Sequence, residues 1–268
     1  MNDQAPWTSN HPFDVEEPVM LITGGGRHRV GNVIAKYFAA RNYALALHYH
    51  SSEEEAIEGR DKLQSQGTRC EIFKADVTSE QEVSQMVQAV HEKFGRIDVL
   101  VTTASIWSPQ PWDKVTADDL RKNFDVNTLG TFLCGKAAGE VMVQQPTGGA
   151  IVTFGDSSIN RPYLDFAPYF ISKGAIPTLT QVLAVELADR NPNVRVNCIH
   201  PGPVMLPPDT DQDKAARIRE MTLLKTANRP DMVAQAVEAL VNNVFMTGVC
   251  IPVDAGKHMH CPAERRRP

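Results

Sequence analysis

The sequence predicts a doubly wound α/β fold, one domain built on a parallel sheet of about seven strands with helices on both faces. Three features carry that prediction. Short apolar runs alternate with longer helical patterns along the whole chain. The runs are continuously apolar instead of alternating in polarity, as strands buried on both faces of a parallel sheet must be. No linker interrupts the alternation, and each parallel step needs such a crossover.

Taken in order, the strands are Val19 to Thr23, Ala44 to His48, Cys70 to Lys74, Ile97 to Val101, Ala150 to Phe154, Val194 to Ile199 and Val249 to Val253. Helical spacing runs from Ser79 to Phe94, from Thr116 to Val143 and from Pro168 to Arg190. Pro177 falls inside the last of these and should kink it past Lys173, because proline removes a ladder bond. Pro201 to Asp213 (PGPVMLPPDTDQD) is dense in proline and acid. It is expected to be a loop over the carboxyl edge of the sheet, of a kind that closes over ligands. Residues 1–17 hold Asp3, Asp14, Glu16, Glu17 and two prolines with no apolar run, the pattern of a flexible polar arm and not of a secretion signal. Residues 18–260 form the domain, and residues 261–268 a basic tail ending in AERRRP.

Composition narrows the function classes. The chain has 268 residues, 42% hydrophobic and 22% charged, enough for a full globular core. Its 27 basic and 32 acidic side chains leave a net charge of −5, which argues against a broad nucleic-acid or membrane surface. No apolar run approaches the roughly 20 residues that span a bilayer. Cys70, Cys134, Cys198, Cys250 and Cys261 include no CxxC pair, which argues against a disulfide framework and a thiolate zinc site. A reduced, cytoplasmic protein is expected. His258, His260 and Cys261 are spaced too weakly for a metal centre, so none is expected.

The first strand runs into Gly24-Gly25-Gly26-Arg27-His28-Arg29-Val30-Gly31, followed by a helical pattern. Glycines between a first strand and a helix let the backbone approach a pyrophosphate, which the helix N-terminus stabilises. This is the signature of a Rossmann-type dinucleotide fold, and the absence of a Gly-Lys-Ser/Thr ending argues against a triphosphate loop. The second strand ends at His48-Tyr49-His50-Ser51-Ser52, without the acid that NAD-preferring folds place there. Arg27, Arg29, His50, Ser51 and Ser52 offer the donors a 2′-phosphate needs, so the expected cofactor is NADPH/NADP.

Tyr169 and Lys173 stand four apart, on one face of a helix opened by Pro168. A tyrosine needs a nearby positive charge to transfer protons at neutral pH, and Lys173 can supply it. The pair follows the fifth strand, at the end of the sheet where the nicotinamide of a bound dinucleotide lies.

From Pro18 to His258 the sequence resembles the short-chain dehydrogenase/reductase family. The likeness rests on the glycine turn, Ala75-Asp76-Val77, Asn127 within DVNTLGTF, Tyr169 and Lys173, Val194-Arg195-Val196-Asn197, Pro201-Gly202 and Asp254-Ala255-Gly256. The resemblance implies that Asp76 and Val77 hold adenine, Lys173 binds the nicotinamide ribose and Asn127 supports a water-linked proton relay. It extends the cofactor lining to Gly24, Val30, His48, Tyr49, Ala104, Ser105, Tyr169, Pro201, Gly202 and Val204. It also implies a homodimer or homotetramer, paired through the long helices.

The departures are informative. The family keeps a serine 13 residues before the tyrosine, and this chain has Asp156. A carboxylate would repel an oxyanion, yet it can pass a proton toward a ring nitrogen through a neighbouring tyrosine. Asp156, Tyr169 and Lys173 together resemble the pteridine reductase and dihydromonapterin reductase branch. Trp107 stands where those enzymes stack a flat pterin on the nicotinamide. Thr102-Thr103-Ala104-Ser105 replaces the usual Asn-Asn-Ala-Gly, and Gly31 lies seven positions after Gly24 instead of the usual six. The extra residue blurs which arginine meets the 2′-phosphate, with Arg29 favoured. The expected activity is reduction of a C=N bond in a small planar pterin-like heterocycle, seated by Ser105, Trp107, Asp156 and Tyr169 and covered by the Met205 loop. Two alternatives stand beside it. A carbonyl reductase would follow if Ser157 or Ser158 replaced the missing hydroxyl, and an NADPH-binding sensor without turnover is the other.

Overall fold

The apolar runs become seven strands in a computed structural model that describes residues 11–207 and 210–260. They are β1 (Val19–Thr23), β2 (Ala44–Tyr49), β3 (Cys70–Lys74), β4 (Val99–Thr102), β5 (Gly149–Phe154), β6 (Val194–Pro201) and β7 (Cys250–Val253). Every neighbouring pair is parallel, in the order β3-β2-β1-β4-β5-β6-β7. Winding reverses between β1 and β4, so the crevice that takes ligands in such sheets opens at their carboxyl ends.

The helices are α1 (Val30–Ala39), α2 (Glu53–Ser65), α3 (Glu80–Phe94), α4 (Ala117–Phe124), α5 (Gly130–Met142), α6 (Ala167–Gly174), α7 (Ile176–Arg190), α8 (Gln212–Glu220) and α9 (Pro230–Asn242). Successive strand residues face opposite layers. Leu21, Leu100 and Val196 pack with Val83, Met86, Leu133 and Leu187 of α3, α5 and α7. Met20, Ile22, Val99 and Val152 pack with Ile34, Phe38, Val233 and Val237 of α1 and α9. Arg195, buried on β6, donates to the carbonyls of Leu240, Val241 and Asn243 at 2.8, 2.5 and 2.9 Å, satisfying acceptors that the end of α9 leaves unpaired.

Several boundaries differ from the sequence expectation. The stretch from Thr116 to Val143 is two helices joined by a single π turn, Asp125–Leu129, and not one helix. Such turns recur where a side chain must be re-aimed at a functional site. The stretch from Pro168 to Arg190 divides between α6 and α7 at Ala175, beyond Lys173, next to the proline that cannot donate to the ladder. The expected polar arm is not free over its described part: Phe13 is 1% exposed, lies in the core and stacks with His11. Its burial removes apolar surface that a free arm would leave in water. Residues 1–10 of that arm and the basic tail 261–268 lie outside the described residues. The proline-rich stretch is not all loop, since Asp211 accepts from Lys214 N at 2.6 Å and opens α8; Pro208 and Asp209 are not described. Among the described residues no helix is long and apolar enough to cross a membrane.

Candidate active site

The glycine turn follows β1 and feeds α1, as expected. Gly24 has φ +70°, and a Cβ there would come within 3.1 Å of the Ala104 backbone. A side chain at Gly31 would lie 2.5 Å from Thr103 Oγ1, which itself donates to Thr23 O at 2.5 Å. The turn therefore needs glycine for conformation and for close packing. α1 has no acidic residue in its first turn and no side-chain cap, which leaves its leading N–H groups for an anion. His48 is buried behind the turn, accepting from Gly24 N at 2.9 Å on Nδ1 and donating to Ala75 O at 2.9 Å from Nε2. Those roles require a neutral ring, and burial lowers its pKa further. His48 thus props the turn from behind.

Just past β2 come His50 and Ser51, both exposed, and the half-buried Ser52. His50 Nε2 lies 4.0 Å from Asp76 Oδ2, while Asp76 Oδ1 accepts from Thr78 N and Oγ1 at 2.9 and 2.8 Å. Those bonds, the backbone one foremost, lower the pKa of Asp76 against the opposing effect of burial. A cleft of about 490 Å³ lies beside them, lined by His50, Ala75, Asp76, Gln85 and Met86. Val77 is turned into the core, where it meets Gly130. Arg27 is 4.0 Å from Glu55, whereas Arg29 is exposed and has no ion-pair partner among the described residues.

Beyond the carboxyl end of β5, Tyr169 Oη donates to Asp156 Oδ2 at 2.8 Å, and Asp156 Oδ1 accepts from Ser158 N at 2.7 Å. Burial, reinforced by Asp156, raises the Tyr169 pKa well above its ordinary value, so the group stands as a phenol. Lys173 is buried and donates to Phe154 O at 2.7 Å. Burial brings its pKa down to about 8 against the opposing pull of Asp156. Neither neighbouring serine hydroxyl bonds the phenol: Ser158 Oγ accepts from Lys257 Nζ at 2.7 Å, and Ser157 Oγ is buried without a partner.

The π turn presents Asn127 inward. Its Oδ1 accepts from Ser105 Oγ and Ile106 N at 2.9 and 2.8 Å, and its Nδ2 donates to Ile106 O and Ser172 Oγ at 3.1 and 2.9 Å. Asn127 thereby ties the strand end carrying Ser105 to the helix carrying Tyr169 and Lys173. Trp107 is 48% exposed, stacks on Phe166 with centroids 4.7 Å apart, and donates to Tyr163 Oη at 3.1 Å. Tyr163 packs edge-on against Phe166 and Phe170, and Phe170 against Tyr169, so an aromatic wall runs from Trp107 to the phenol.

A family model described as "Enoyl-(Acyl carrier protein) reductase" matches residues 26–258. A short-chain dehydrogenase/reductase of Armillaria gallica is 34% identical over 89% of this chain and 95% of its own length. This chain belongs to the short-chain dehydrogenase/reductase family. Glucose 1-dehydrogenase 2 of Bacillus subtilis is a further relative, 27% identical over 92% of this chain and 97% of its own length. A solved dehydrogenase/reductase from Sinorhizobium meliloti superposes with a TM-score of 0.82 at 28% identity, covering 92% of this chain and 97% of that one. The chain is thus a short-chain oxidoreductase, of a family that works with a nicotinamide cofactor.

Within this short-chain oxidoreductase, Asp156 and Tyr169 are bonded directly, Lys173 is held at Phe154 O just before them, and Asn127 reaches the Tyr169 backbone through Ser172 while holding Ser105 on its other side. Met205 stands elsewhere: it lines a cleft of about 260 Å³ with His28, Arg29, Asn32 and Lys36, over the start of α1 and not against Trp107. Pro201 O accepts from Ser157 N at 3.1 Å, Gly202 packs against Asp254, and Val204 N donates to Gly202 O at 2.7 Å, fixing the root of the Met205 loop. His258 is engaged by Asp254 through its backbone N–H and its ring. Tyr163, Phe166 and Lys257 are site residues the sequence pattern did not mark, because they meet Trp107 and Ser158 only through the folded loop after β5 and the end of the chain.

Proposed function

We propose that this protein is an NADPH-dependent reductase of the C=N bond in a pterin-like heterocycle of the dihydropterin, biopterin, monapterin or folate class. The observation that carries the reading is the 2.8 Å bond from Tyr169 to the Asp156 carboxylate. An oxyanion growing beside that carboxylate would be repelled, whereas a ring nitrogen gaining a proton would be favoured. Tyr169 would pass its proton to the ring nitrogen, and a proton taken up from solvent by Asp156 would return through the same contact to restore the phenol. Lys173, when protonated, would stabilise that oxygen, and Asn127 would hold Ser105 and α6 in register. The aromatic wall from Trp107 to Tyr169 suits a flat substrate, since stacking adds on the order of 1 kcal/mol beyond burial.

The cofactor's phosphates suit the glycine turn and the open first turn of α1, its 2′-phosphate Arg29 with His50, Ser51 and Ser52, and its adenine Asp76. When bound it supplies the hydride. A carbonyl reductase is the second reading, favoured by the glucose dehydrogenase relative and by Ser157, whose buried hydroxyl lacks a partner. An intact Tyr169 and Lys173 speak against a sensor without turnover.

The test is NADPH consumption with dihydrobiopterin and with an aromatic ketone, for the wild type and Asp156→Ser. The pterin reading expects turnover of dihydrobiopterin that the variant loses. Ketone turnover without pterin turnover in the wild type would replace it with the second reading.

A further inference from the structure

We propose that Cys198, His200 and Cys250 form a zinc site. Cys198 of β6 and Cys250 of β7 are register partners, so their side chains share one face of the sheet. His200 lies two residues along β6 from Cys198 and returns to that face. The ligand atoms of all three lie within 4.8 Å of one another. Four-coordinate zinc, with Zn–S about 2.3 Å and Zn–N about 2.0–2.1 Å, holds such atoms about 3.5–3.8 Å apart. Small side-chain adjustments close the difference.

Two further observations point to a ligand. His200 Nε2 is buried with no nitrogen or oxygen partner, its ring facing only the Cys198 sulfur, a weak partner for a buried imidazole. A Cβ built on Gly155 would come 2.9 Å from that nitrogen and 3.6 Å from Cys198 Sγ, so glycine keeps clear a small space that both atoms border.

The donor set is two sulfurs and one imidazole, which favours a borderline or soft ion over magnesium or calcium. Zinc would release one S–H proton from each cysteine to solvent, and two thiolates would balance its charge. Three protein ligands leave a fourth position for water. β7 is a four-residue strand at the edge of the sheet. A bound ion would staple it to β6 beside Gly155, the residue leading into Asp156. The sequence argued against a thiolate zinc site on linear spacing alone; here Cys198 and Cys250 meet only through strand pairing.

The test uses the full chain, reduced, stripped of metal and kept from oxygen, titrated with Co²⁺ and then Zn²⁺. One Co²⁺ per chain is expected, with thiolate-to-cobalt charge transfer and the visible bands of a tetrahedral ion, both erased by Zn²⁺. Cys250→Ser and His200→Ala alter partly exposed positions. Each should weaken Co²⁺ binding beyond the 10–100-fold typical of lost outer-shell partners. Zinc should also raise the melting temperature of the wild type and not of either variant. Absence of the charge-transfer band, or a band unchanged in both variants, would overturn the site.

Discussion

The Tyr169 phenol donates to the Asp156 carboxylate at 2.8 Å, across the gap between the end of β5 and α6. Asp156 raises the phenol's pKa both by its charge and by accepting this bond, on top of the larger effect of burial. Asp156→Asn keeps the shape and removes the charge. Phenolate should then form at lower pH in the variant than in the wild type, read by ultraviolet titration with Tyr169→Phe as the blank. Turnover should fall by about 100-fold or more, the scale of a lost acid–base partner. An unchanged titration would show that the carboxylate does not govern the phenol.

Lys173 has a pKa of about 8 in the fold against 10.5 as a free side chain, because burial disfavours the ammonium. Between those values the unfolded chain binds more protons than the folded one, so this group's contribution to stability rises with pH across that window. Lys173→Met cancels the dependence. The melting temperature of the wild type relative to the variant should therefore climb from pH 8 toward pH 10. A difference flat in pH would place the ammonium in a better-solvated setting. Activity should be abolished in the variant at every pH.

Much of this was legible in the sequence, for physical reasons that differ by element. β1, β2, β5 and β6 are buried throughout apart from the carboxyl end of β6, so their continuous apolar runs announced them. Asp156, Tyr169 and Lys173 belong to two neighbouring segments, and a residue count sufficed to align them. The π turn was not legible, because Asn127 is bent inward by partners at Ile106 and Ser172 that are distant in sequence. The same holds for Phe166 beneath Trp107, and for Met205, whose loop folds toward α1 instead of the aromatic wall.

Preference for NADPH should be set by Arg29 and moderated by Glu55. Glu55 lies 4.0 Å from Arg27 and accepts from His28 N at 2.9 Å, so it holds one side of the rim negative. Arg29→Glu should weaken NADPH by about 10–100-fold, the value of one charge-assisted bond to phosphate, and leave NADH nearly unchanged. Glu55→Gln should tighten NADPH by freeing Arg27. Fluorescence titration of both cofactors checks this, and equal losses for NADH and NADPH would move the 2′-phosphate contact elsewhere.

A second copy of the chain should cover the outer face of α6 and α7. Val182 and Val185 stand three apart on α7, and Val185 is 70% exposed; Ile171 of α6 and Phe124 of α4 are exposed as well. The opposite side of α7 already buries Leu183, Ala184 and Leu187, so the helix is apolar around much of its circumference, as helices buried on both sides are. We expect a homodimer or homotetramer in solution. Val185→Glu would place a charge in a desolvated contact and should shift the assembly toward monomer in analytical ultracentrifugation, with secondary structure unchanged. A wild-type protein that sediments as a monomer at micromolar concentration would remove the helix-paired assembly.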